Sequence, residues 1–424
     1  MIKPLFLSFE SLAFLQTTST KINQTRTRKM YVVIRSFQTN TFSCLDQGQQ
    51  AIPDEHVLPS TTDNSKISRA ASDTHRSRVQ TLPAFEENEL GQFEFDSVCR
   101  LHKTAIRRIV PHPSLSSTHL LTIGDDGFLR NYMVDRSKLD TFYSVSSRPL
   151  TCLQAISVYL SENITDRSSL AFIGSSDQHL YIYNLETGTS ILSQVLHSDV
   201  ITDLYVSNRS VPTLLCTASH DATVRFWSLD NILYNDEEHY IFRPNYHCAS
   251  TIQMQYDISF DTSCMCMHAL EEHELLVVGC QDGSIYLCHF QSGQILKQLT
   301  TSSTGLPILS LCLRADALFL AYLTGTTITL VDILTGTDVF TKSCVINNRS
   351  FNSLFYSSKI LVVGLTNGMC EVWNLKSCEK IHTLCICDNI SITAIRYHDG
   401  MFFFGTDDGS VHSYVFASRH PLSI

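Results

Sequence analysis

The sequence predicts an all-β fold: a seven-bladed β-propeller over residues 92–418, preceded by a disordered segment at 1–91. Three observations carry this prediction. First, an apolar strand, a tight turn and a second strand recur seven times between residues 120 and 420. Second, a turn residue stands six positions before a closing aromatic, as in Asp126/Tyr132, Asp177/Tyr183, Asp221/Trp227 and Asp408/Tyr414. Asp282/Cys288, Gly325/Val331 and Asn367/Trp373 keep the same step with weaker residues. Third, the turn positions 126, 177, 221, 282, 325, 367 and 408 are separated by 51, 44, 61, 43, 42 and 41 residues. A strand pattern repeating every ~40–50 residues is the period of propeller blades.

The elements read as strands one after another. Phe128–Tyr132, Leu180–Tyr183 and Val224–Trp227 lack proline and are rich in aromatic and β-branched residues, which fit a pleated surface. Asp-Gly, Asp-Gln and Asp-Ala turns precede them, and Asp favours turns by bonding its own backbone. The 61-residue gap holds an insertion from Asn231 to Gln255, and the 51-residue gap a smaller one near Ser161–Ser168. Both are expected to be surface loops. After Tyr414 too few residues remain for a further strand, whereas Phe93–Cys99 alternates as a strand should. This early segment is expected to become the outer strand of the last blade and to close the ring.

Composition narrows the function. The net charge is −10, and residues 1–95 carry equal numbers of each sign, so the excess lies in the repeats. An acidic propeller argues against a nucleic-acid partner, since phosphate binding needs a basic footprint. No run of about 18 uncharged apolar residues is present, so no direct membrane insertion is expected. The fifteen cysteines follow no regular framework; Cys216, Cys280, Cys312 and Cys370 read as reduced, buried small hydrophobes of a cytoplasmic protein. Cys264, Cys266 and His268 alternate onto one strand face, and with Cys385 and Cys387 they read as core packing. No metal site and no cofactor are expected. Arg69–Ser72 could suit a basophilic kinase, though an unmodified linker is the simpler reading. The glycosylation-type triplets at Asn163 and Asn208 are read as chance occurrences.

The repeats resemble the WD40 family, with Trp227-Ser228 and Trp373-Asn374 standing for its Trp-Asp pair. Cys288 and Val331 depart from that pattern, which makes blades four and five the least secure. A closer resemblance, over about residues 93–418, is to the carboxy-terminal propeller of BEACH-domain proteins, the family of the factor associated with neutral sphingomyelinase activation. Leu101–Ala105, Ser144–Ser147 with Leu150–Cys152, the repeat from His197 to Trp227, and Thr327–Gly336 carry it. The pleckstrin-like and BEACH domains of that family are not read in residues 1–92, which are too short and too polar.

The WD40 resemblance implies a buried hydrogen-bonded tetrad, here His197, Ser219, Asp221 and Trp227. A propeller hydrolase using His197, Ser219 and Asp221 is the alternative, but no nucleophile elbow supports it. The resemblance also implies a partner-binding face lined by the residue before each turn position: Asp125, Ser176, His220, Gln281, Thr324, Thr366 and Asp407. Asp125 and Asp407, in neighbouring blades, would form an acidic patch suited to a basic segment. The implied function is a non-catalytic, monomeric adaptor or scaffold in receptor signalling or membrane traffic. It would bind protein partners such as the cytoplasmic segment of a tumour-necrosis-factor-type receptor, and reach membranes through them. A generic scaffold subunit of another complex is the second reading.

Overall fold

A computed structural model describes residues 92–417, apart from 161–166, 208–212, 236–239, 243–250, 300–304, 315–317, 344–349, 358 and 376. The chain divides into two units, Met1–Thr81 and Leu82–Ile424, and all described residues belong to the second. The disorder expected for 1–91, the Arg69–Ser72 motif, and Asn163 and Asn208 lie outside the described residues.

Seven antiparallel sheets form a seven-bladed propeller. Blade one shows the pattern, with an inner strand Ile106–Pro111, then His119–Gly124, Phe128–Met133 and an outer strand Lys138–Ser144. The second strands, such as His119–Gly124, Leu214–Ser219, Leu275–Cys280 and Ile360–Leu365, are buried at every position. They are mostly apolar because both faces of each blade are covered by neighbours. The outer strand of blade one, by contrast, is exposed at nearly every residue.

The core is accordingly a ring of seven clusters, one between each pair of adjacent blades. The cluster between blades seven and one joins Ile106, Ile109 and Leu120 to Ala394, Phe403 and Val411. Space there comes from glycine. A Cβ on Gly405 would lie 2.9 Å from Ile106 Cγ2, and Gly174, Gly279 and Gly364 make the same room for Ile201, Ile308 and Ile392. Near the ring's centre, inner-strand side chains donate to the first carbonyl of the next blade's inner strand. Thr151 bonds to Ile201 O, Thr202 to Cys264 O (3.0 Å), Asn352 to Ile392 O (3.0 Å) and Thr393 to Ile106 O (2.5 Å).

Gln92–Arg100 pairs with Ser410–Ala417, so the first described strand is the outer strand of blade seven, as expected. Blades four and five, the least secure by sequence, are complete four-stranded sheets. In blades one to six a register shift falls immediately before the closing residue, whether that is Tyr132, Tyr183, Trp227, Cys288, Val331 or Trp373. Such a bulge re-aims one side chain without depending on its identity, so Cys288 and Val331 reach the buried position that an aromatic fills elsewhere.

The Asn231–Gln255 insertion is more than a surface loop. Leu233–Asn235 and Tyr240–Phe242 form a hairpin, and Ile241 pairs in parallel with Tyr159 at the end of blade two's inner strand. Ile232, Leu233 and Ile252 join the core between blades two and three, with Tyr240 and Phe242 packed against it. Apolar residues in the insertion found buried area there. Of the smaller insertion, Arg167 and Ser168 begin a strand and the rest lies outside the described residues.

Deleting residues 92–99 should lower the melting temperature sharply, because Tyr414 and Val415 would lose their strand partners and Phe416 its packing against Phe93. An unchanged melt, followed by circular dichroism, would refute the closure.

Candidate interaction face

Antiparallel strands place the second-to-third-strand turns and the blade-to-blade connections on one face of the ring. In six blades the turn residue forms the same local bond, its side-chain oxygen accepting the N–H two residues on. The pairs are Asp126–Phe128 (3.3 Å), Asp177–His179 (3.1 Å), Asp221–Thr223 (3.1 Å), Asp282–Ser284 (2.9 Å), Asn367–Met369 (3.3 Å) and Asp408–Ser410 (3.1 Å). This Asx turn accounts for the carboxylate or amide at that position. The next residue is left-handed in each case: Gly127, Gln178, Ala222, Gly283, Gly368 and Gly409.

Blade five differs. Val331 pairs with Leu320, eleven residues back, whereas Cys288 pairs with Leu276 and Trp227 with Leu215, twelve back. The turn is one residue shorter, so Thr324 N bonds Thr327 O and the Thr324 hydroxyl accepts from the N–H groups of Thr326 (3.3 Å) and Thr327 (3.0 Å).

This shortening corrects the expected binding face. Thr324 is fully buried and is not part of it. Asp125, Ser176, His220, Gln281, Thr366 and Asp407 share one position, each backbone N–H bonding the carbonyl of the residue immediately before its own blade's inner strand. Only Gln281 and Asp407 are exposed; the others are half-buried. The Thr366 hydroxyl faces inward and accepts from Ser350 N (3.1 Å). The acidic patch is also partly neutralised. Arg107 grips Asp125 with both arms of its fork, Nε to Oδ1 at 2.7 Å and Nη2 to Oδ2 at 2.5 Å. The field of Asp407 reaches the same guanidinium. Sequence reasoning missed Arg107, whose signal was its place one residue into the inner strand, facing the turn.

Beneath the face, blade three holds the expected network with one substitution of partner. His197 Nδ1 donates to Asp221 Oδ2 (2.9 Å), while the hydroxyl that meets His197 Nε2 (2.8 Å) and accepts from Trp227 Nε1 (2.9 Å) belongs to Thr217, not Ser219. Leu215 pairs with Trp227, so Thr217 lies on the adjacent diagonal, within reach of an indole. Ser219 sits two residues further along, at the turn, where it accepts from Asp221 N (3.1 Å) and donates to Asp199 O (3.2 Å). Both His197 nitrogens are occupied inside a buried cluster.

Blade one holds a second network that sequence reasoning missed. His102 Nδ1 donates to Asp126 Oδ1 (2.8 Å), Thr122 bonds His102 Nε2 (3.0 Å), and Arg130 Nη1 reaches Asp126 Oδ2 (2.9 Å). The signal was present, because His102 and His197 both stand 24 residues before their aspartate, and Thr122 and Thr217 both stand four before it. In blade six Val363 takes the place of that threonine, and the buried Trp373 Nε1 has no hydrogen-bond partner among the described residues.

Burial opposes ionisation of Asp221, but bonds from Thr223 and Ser198 N and the nearby His197 outweigh it and hold its pKa at about 2. Asp126 is likewise held well below the usual carboxylate range despite its burial, by His102, Arg130 and Lys103 N. For His102 and His197 burial outweighs the adjacent carboxylate and lowers the pKa, so both imidazoles are neutral at physiological pH.

The cysteines divide differently from expectation. A register shift separates Cys264 from Cys266, so they face different blade interfaces, one packing with blade three and the other with blade five. His268 leaves the core and lines a cavity. Cys385 is exposed and Cys387 half-buried, because they lie where the outer strand of blade six runs onto the turn face. Cys216, Cys280 and Cys370 are buried and Cys312 half-buried, all unpaired.

No protein-family model matches the chain, and no curated protein matches it. Among the described residues no helix is long and apolar enough to cross a membrane.

Thr217→Val should destabilise the protein by about 2–3 kcal/mol, since it strands the Trp227 N–H and the His197 acceptor, while Ser219→Ala should cost about 1 kcal/mol. Chemical denaturation checks the order; equal losses would favour Ser219 as the network hydroxyl. Stability should also fall in two stages on acidification. His102, His112, His197, His268 and His412 all have folded pKa values below the ordinary imidazole. The unfolded chain therefore takes up protons first, and stability declines as pH drops below about 6.5. The depressed turn aspartates contribute fully above about pH 4 and lose that contribution as pH falls toward their folded values. Melting temperature against pH reads both stages; a flat profile from pH 7 to 5 would contradict the first.

Proposed function

We propose that this chain is a non-catalytic, WD40-type protein-interaction platform, an adaptor whose turn face presents Asp407 and Gln281 to a partner. The observation that carries the reading is the allocation of polar groups beneath that face. The His–Asp–Thr networks and Asx turns use their hydrogen bonds to hold the turns rigid. What is left for solvent is a rim of charged and polar side chains on a fixed scaffold. Rigid display of this kind lowers the ordering cost of binding. Asp407 has no ion-pair partner among the described residues, and it favours a cationic partner segment. The resemblance to BEACH-protein propellers adds the cytoplasmic part of a tumour-necrosis-factor-type receptor as the partner to test first.

The test uses the full chain with a photo-crosslinking residue at Asp407, at Gln281 or at Val339 on the outer strand of blade five. Crosslinks to the receptor segment should form from the first two positions only. Asp407→Lys should weaken binding about tenfold by charge reversal. Crosslinks confined to Val339, or no change with Asp407→Lys, would overturn this assignment of the face. An absence of any binding would remove the receptor as partner.

A further inference from the structure

A cavity of about 290 Å³ opens among the inner strands of blades one to five, its lining residues including Arg108, Asp203, His268 and Ser310. Its polar groups are unevenly satisfied. Asp203 is anchored: Oδ1 accepts Leu204 N and Oδ2 accepts Met267 N, both at 3.1 Å, one from its own blade and one from the next. Arg108 is not. Its Nη2 stands 3.6 Å from Asp203 Oδ1, an ion pair too long for a hydrogen bond. The Arg108 side chain is 41% exposed, and Asp203 is its one ion-pair partner among the described residues. His268 has no hydrogen-bond partner for either ring nitrogen among the described residues, and burial keeps it neutral, with one N–H to give. Cys266 is otherwise engaged, its thiol directed to Ile308 O (3.5 Å). No group of three metal-ligating side chains occurs among the described residues.

We propose that this cavity is a carboxylate-binding site, with the Arg108 guanidinium as the fork and the His268 N–H as a second donor. A guanidinium edge matches a carboxylate in two parallel bonds, which a point charge cannot do. Asp203 is a positioning residue: fixed by two backbone amides, it holds Arg108 toward the cavity and balances its charge when the site is empty. The volume suits a small organic acid or one acidic side chain.

The test is thermal unfolding of the full chain at constant ionic strength with glutarate, with its neutral analogue glutaramide, and with the capped dipeptide acetyl-Gly-Glu-amide. At least one carboxylate should raise the melting temperature saturably, as ligand binding to the folded state requires, and glutaramide should not. Glutarate acting alone identifies a free acid as the ligand class, whereas action of the dipeptide identifies a partner's acidic side chain. Arg108→Gln should abolish the shift. Should that variant fold poorly, Arg108→Lys, which keeps the charge and loses the fork, should weaken binding about tenfold. His268→Phe should weaken it as well, and Asp407→Lys on the turn face should leave it unchanged. No saturable shift in the parent, an equal response to glutaramide, or an undiminished response in Arg108→Lys would each overturn the proposal.

Discussion

Burial of both faces of every blade is the constraint on which the rest depends. A four-stranded sheet of this size has no interior of its own, so its second strand can be wholly buried only if a blade stands on each side. The seven inter-blade clusters meet that need pairwise, and the need is met for blades one and seven only if the ring closes. Closure therefore draws on three separate devices at one seam: the Gln92–Arg100 strand, the Thr393 bond to Ile106 O, and the Gly405 space under Ile106. A propeller lacking these would expose one apolar blade face and one unpaired edge.

The ring also explains why the polar networks lie where they do. The turns carry neither apolar burial nor ladder bonds, so their conformation must come from side chains. Aspartate supplies it locally through the Asx bond, and in blades one and three a histidine ties that aspartate back to the second strand. The resulting carboxylates stay ionised because they accept several bonds, while the imidazoles stay neutral because they are buried. Function is then left to groups outside these networks: Asp407 and Gln281 on the turn face, and Arg108 with His268 in the cavity.

Blade number and closure by the early strand were legible before the structure, because each rests on a repeat or a residue count. The tetrad was legible for three of its four members. Ser219 was chosen over Thr217 because one-dimensional spacing does not show which hydroxyl lies diagonal to Trp227; only the register of the two strands does. His102 stands at the same spacing from its aspartate as His197, but Tyr132 in place of Trp removes the indole that marks such a network in sequence. Thr324 was assigned to the face by counting, and the turn of blade five is one residue shorter than the count assumed.

By itself the sequence determined the all-β class, the sevenfold repeat and the position of each turn, because strand periodicity and Asx-turn chemistry are local properties of neighbouring residues. The tertiary structure alone decided which side chains meet across the ring. Arg108 with Asp203 and the insertion hairpin with Tyr159 join residues of different blades. No local pattern encodes those distances, because they are set by the packing of one blade against the next.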